Sequence, residues 1–148
     1  MSYPILIARA LRVLRSLAAG VLLAAFFLPL ARCEGVRPGD APGATPREEL
    51  MVPAHIVDAD EPATFIVALI FAWPLLLFAL YAALPAARRF EFVEPLPAAA
   101  TFWYLWQITV GWGEVLWAGY AALGAAGLYG LVALLNAPAA WRAWRARR

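Results

Sequence analysis

The stretch Val110-Gly111-Trp112-Gly113-Glu114-Val115 interrupts the longest apolar region of the chain, and its reading decides the fold. That region runs from about residue 97 to residue 136. As one straight helix it would be about 60 Å long, twice the thickness of a hydrocarbon core. It must therefore break. Two glycines around a tryptophan, followed by a carboxylate, are the best place for a turn. The region then reads as a helical hairpin, with spans over about 95–111 and 115–136.

Working outward, residues 63–84 are 22 residues without a charge, long enough to cross a bilayer. Pro74 at their centre removes a backbone donor and predicts a kink. A first apolar run covers 11–30 and follows Arg9, Arg12 and Arg15. A basic stretch before an apolar one also describes a signal peptide. Leu30-Ala31-Arg32-Cys33 lacks the small-residue cleavage pattern, however, and Arg32 stands where a lipoprotein signal needs a small residue before its cysteine. An uncleaved span is the expectation.

Between these runs, residues 31–62 hold seven acids and three arginines, a net −4. Five prolines and three glycines exclude long helices or strands there, leaving an extramembrane loop in which 48–57 form a short helix or a surface-lying segment. Residues 137–148 form a basic, aromatic tail.

The whole composition agrees. Of 148 residues, 64% are apolar and 15% charged, against about 45–50% and about 25% in soluble domains. That excludes an ordinary soluble domain and disorder. The net charge is only +2, so there is no general basic surface for nucleic acid. All twelve basic residues are arginine, which with the many alanines suggests a GC-rich bacterial genome. The lone Cys33 excludes an intramolecular disulfide.

Arginine placement orients the chain. The N-terminus and the tail are basic, the short polar connection 85–97 carries Arg88 and Arg89 beside Glu91 and Glu94, and 31–62 is acidic. The positive-inside rule then gives an all-α membrane protein of four transmembrane helices, the third and fourth as a hairpin, with both termini cytoplasmic and 31–62 on the periplasmic side of a bacterial inner membrane. The alternative has three spans, with 97–110 lying flat in the interface; it would put four arginines outside.

The segment Leu22-Leu23-Ala24-Ala25-Phe26-Phe27-Leu28-Pro29-Leu30, followed by Cys33, resembles the first span of small uncharacterised multi-span bacterial inner-membrane proteins. In these an apolar helix closes in Phe-Phe-Leu-Pro before an outward loop and further spans. The resemblance implies that architecture and no activity.

Candidate functional residues are few. Ser16, Gly20 and Ala24, and Ala118, Ala122, Ala126 and Gly130, recur at four-residue intervals and make flat faces for helix packing, within the bundle or against another subunit. Gln107, Thr109 and Glu114 are a candidate polar path, because an acid inside hydrocarbon is costly; in the hairpin Glu114 is instead wet in the outer turn. Trp112, Trp117, Trp141 and Trp144, with Arg142 and Arg145, read as membrane-interface anchors. His55, with Asp58, Asp60 and Glu61, matches no standard metal spacing and reads as solvated loop. The apolar runs lack the His and Cys that a haem needs, so no cofactor is predicted.

The preferred function is a small polytopic accessory or assembly subunit whose partners are the bilayer and other membrane subunits or itself. The alternatives are a transporter or channel component using Gln107 and Glu114, and a membrane enzyme or metal-binding protein using the loop around His55.

Overall fold

The computed structural model describes residues 3–35, 47–58, 60–111 and 113–146. The described residues are mostly helical, with four α-helices: α1 (Tyr3–Ala25), α2 (Phe65–Ala83), α3 (Pro95–Val110) and α4 (Trp117–Arg145). Three short strands, β1 (Ala31–Gly35), β2 (Arg47–Met51) and β3 (Glu114–Val115), form one antiparallel sheet in the order β2-β1-β3. Pro62–Ala83 and Trp117–Arg145 are long and apolar enough to cross a membrane.

The sheet corrects the all-α expectation, and its cause is local. The apolar run does not stay helical to Leu30. Proline disfavours helical geometry at the residue before it, here Leu28 before Pro29. Helix α1 stops at Ala25, and Phe26 to Leu28 close turns onto its last carbonyls. The chain then extends into β1. Residues 47–51, expected as a short helix or surface segment, pair with β1 instead, Ala31 opposite Met51 and Gly35 opposite Arg47.

The third apolar region divides where the glycines lie. Gly113 adopts φ +119°, a conformation that side-chain-bearing residues rarely reach. β3 follows it and pairs with β1 at Ala31–Val115 and Arg32–Glu114. The Leu116 N–H donates to the Leu30 carbonyl at 2.9 Å, tying the start of α4 to the residue that precedes β1. Gly119 completes this junction, because a methyl there would overlap the Leu30 carbonyl.

The helices run up and down. The sheet gathers the C-terminal ends of α1 and α3 and the N-terminal end of α4; the Ala54 N–H donates to the Phe26 carbonyl and leads toward α2. The opposite end carries the 3-10 stretch Pro85–Val93 between α2 and α3. Helix α4 packs against α1 and α3, and α1 also against α2. The core is built of small residues, Ala18, Ala19 and Ala25 on α1 and Ala118, Ala122 and Ala126 on α4, filled out by Leu22, Phe71, Leu105 and Tyr129. Small side chains let helix axes approach closely.

Candidate functional site

One charged cluster is closed off inside the bundle, and each helix contributes to it or abuts it. Arg15 lies on α1 at the spacing of Ala18, Ala19 and Leu22, the face that packs inward. Tyr81 lies in the last turn of α2, Glu94 immediately precedes α3, and Tyr129 sits on the buried face of α4. Pro95 can follow Glu94 because the first helical position needs no N–H donor.

Glu94 is the acceptor at the centre. Its Oε1 accepts from Arg15 Nη2 at 2.6 Å and from the Tyr81 hydroxyl at 2.6 Å. Its Oε2 accepts from the Tyr129 hydroxyl at 3.2 Å. The Tyr129 oxygen in turn accepts from Arg15 Nε at 3.1 Å. The Arg15 guanidinium also sits 5.1 Å from the Phe78 ring centroid and 5.3 Å from that of Tyr129, within cation–π range. Arg15 and Glu94 are only 6% and 3% exposed, so this pair is largely shielded from water. A buried charge is tolerated when it is paired and its hydrogen bonds are complete. Among the described residues no buried side-chain polar atom lacks a partner.

The neighbouring Glu91, in the connection outside the helices, has its carboxyl pKa raised, first by burial and then by Glu94, against the opposing pull of Arg15 and Arg88. A second polar link ties α2 to α3: Trp73 Nε1 donates to the Thr101 hydroxyl at 2.8 Å.

A second ionic group lies on the sheet. Arg32 Nε donates to Glu114 Oε2 at 2.6 Å, and Arg32 Nη1 reaches Glu48 at 3.3 Å. These hydrogen bonds, Glu114 first, raise the Arg32 pKa further. All three side chains are well exposed, so this group joins β1, β2 and β3 from the solvent side.

The residues singled out from sequence are scattered by comparison. Ala118, Ala122 and Ala126 are buried, and Gly130 lies close to Ala98 across the α3–α4 interface. Ser16, Gly20 and Ala24 instead face outward: the Ser16 hydroxyl bonds only back to the Arg12 carbonyl, and a side chain on Gly20 would meet nothing within 4 Å. The structure does not gather Gln107, Thr109 and Glu114 into one path. Thr109 is buried and donates to its own helix at the Leu105 carbonyl, while Gln107 and Glu114 are exposed. Trp117 is exposed, Trp141 and Trp144 stack at 4.8 Å, and the Trp141 ring meets Phe92 at 5.0 Å. Arg145 covers the Trp141 ring at 4.8 Å, and Arg142 Nε donates to the Pro138 carbonyl. Trp112 lies outside the described residues. His55 is exposed, and among the described residues no group of three or more His, Cys, Asp or Glu is placed to hold a metal ion.

Sequence reading missed the central cluster because Arg15 reads as part of the basic N-terminal stretch, and Tyr81, Glu94 and Tyr129 are not singled out by it. The available signal was periodicity: Arg15 falls on the apolar face 15, 18, 19, 22 and 25, where a solvated arginine does not belong. The cluster offers no exposed nucleophile and no free acid–base group; its chemistry is to hold helices in register. Compared with known proteins, the chain matches no family model, no curated protein and no solved structure.

Proposed function

We propose that the chain is a four-span subunit of the bacterial inner membrane, with both termini and the 85–94 connection inside and the sheet outside. In this reading it works as an accessory or assembly subunit through helix packing. The observation that carries the proposal is the apolar outside of the bundle. Val13, Leu17 and Val21 on α1, Ile66, Leu69 and Leu76 on α2, Trp103 and Trp106 on α3, and Leu131, Leu134 and Leu135 on α4 are all exposed. Water-soluble monomers do not carry an apolar surface of that extent. Only 17% of the apolar window of α2 is buried, which argues against its being the core helix of a soluble protein.

Arginines at the α1 and α4 ends and in the 85–94 connection support the orientation. The 16 residues of α3 reach about 24 Å, short of the usual core of about 30 Å. A short span is accommodated by local thinning of the bilayer. The outward Ser16–Gly20–Ala24 face supports docking of another membrane helix, since all three residues are exposed and, among the described residues, nothing lies within 4 Å of where a Gly20 side chain would stand.

Reporter fusions at residues 45, 90, 113 and 148 test the topology; an outside signal at 148 overturns four spans. Purification in gentle detergent tests the role. A co-purifying subunit that is lost in Gly20→Leu, with the monomer still folded, is the expected result. A lone monomer that releases no partner overturns the accessory reading.

A further inference from the structure

A cleft of about 220 Å³ lies between the end of α2, the 85–93 stretch and the start of α3. Leu77, Leu80, Ala87, Phe90, Val93 and Pro97 line it, and Tyr81 and Glu94 of the buried cluster close its floor. Both Glu94 oxygens are already occupied, by Arg15, Tyr81 and Tyr129, so the floor offers no site for a polar head. The cleft accepts an apolar chain. Leu80 and Phe90 at its rim are exposed and would face hydrocarbon in the four-span reading, on which this inference rests.

Charge at this end is one-sided. Among the described residues, Arg9, Arg12, Arg88, Arg142 and Arg145 are exposed, while Glu91 is half-buried and Glu94 is buried. Arg88 stands on the same stretch as the lining residues Ala87 and Phe90. A second apolar groove, along the outer half of α2 at Phe65, Leu69 and Leu76, lies instead beside the acidic residues Asp60 and Glu61. Basic pockets beside spans on the cytoplasmic side recruit anionic lipid headgroups. We infer that the inner cleft holds one acyl chain of an anionic phospholipid, with the lipid phosphate at Arg88.

The test is native mass spectrometry of the full chain released from vesicles of mixed phosphatidylglycerol and phosphatidylcholine. The expected result is one retained phosphatidylglycerol, preferred about fivefold over phosphatidylcholine. Leu80→Trp, which fills the cleft, should lose the retained lipid. Arg88→Gln, on the surface, should keep a lipid but lose the preference. Leu69→Trp in the outer groove should leave both unchanged. Equal retention of the two lipids, or undiminished retention by Leu80→Trp, overturns the inference. A chain that alkali strips from the vesicles overturns the four-span reading; one that stays inserted without lipid preference overturns only this inference.

Discussion

The two ends of the bundle are each closed by an arginine–carboxylate pair that joins distant parts of the chain. Arg15 and Glu94 are 79 residues apart, and Arg32 and Glu114 are 82 apart. Their chemistry is the same and their surroundings are opposite. The inner pair is enclosed by two tyrosines and a phenylalanine; the outer pair lies on a small sheet with side chains 39% and 62% exposed. In a shielded site the loss of one partner leaves an uncompensated charge. In an exposed site water and salt replace the partner. Similar hydrogen-bond lengths therefore stand for very different contributions.

The largest effect should come from Glu94→Gln, which leaves Arg15 buried without its counter-charge. Unfolding in mild detergent should show a loss of about 3–5 kcal/mol. Arg15→Met combined with Glu94→Gln should recover much of it, since neither change then strands a charge. A Glu94→Gln protein as stable as the parent would break the comparison at its stronger end.

Next in size is Gly119→Ala. The sheet end is held by backbone proximity, with Leu30 against the start of α4, and the added methyl must push these apart. Overpacking of this kind costs about 1–3 kcal/mol. A neutral Gly119→Ala would show that the sheet floats on the bundle.

A smaller effect is expected from pH at Glu91. Its raised pKa means that the folded state holds the proton more tightly than the unfolded state. The contribution is present at acid pH and is lost as pH rises from the ordinary carboxylate range through the raised value. Glu91→Gln should flatten that part of the stability–pH curve and be the more stable protein at neutral pH. The smallest effect should be Glu114→Gln, with unfolding close to the parent's and any difference shrinking further in high salt.

Much of this architecture is legible in the residues taken singly. Uncharged runs mark α2 and α4 because hydrophobic length is additive along a chain. Gly111 and Gly113 mark the break between α3 and α4 because no other residue turns so cheaply. The strands were not legible: Arg-Cys-Glu and Arg-Glu-Glu-Leu carry no strand pattern, and pairing depends on the chain after Pro29 running between Met51 and Val115. Helix faces were half legible. The four-residue spacing of Ala118, Ala122 and Ala126 and that of Ser16, Gly20 and Ala24 look alike in sequence, yet one stripe is buried and the other faces out.

By itself, then, the sequence determined the two long apolar runs that become α2 and α4, which segments carry the arginines and where the chain must turn, since each is a local property. Only the tertiary structure decided that Arg15, Tyr81, Glu94 and Tyr129 share one closed site and that Glu114 pairs on a sheet. Those assignments depend on which helix faces meet, and spacing along one helix cannot specify its neighbour.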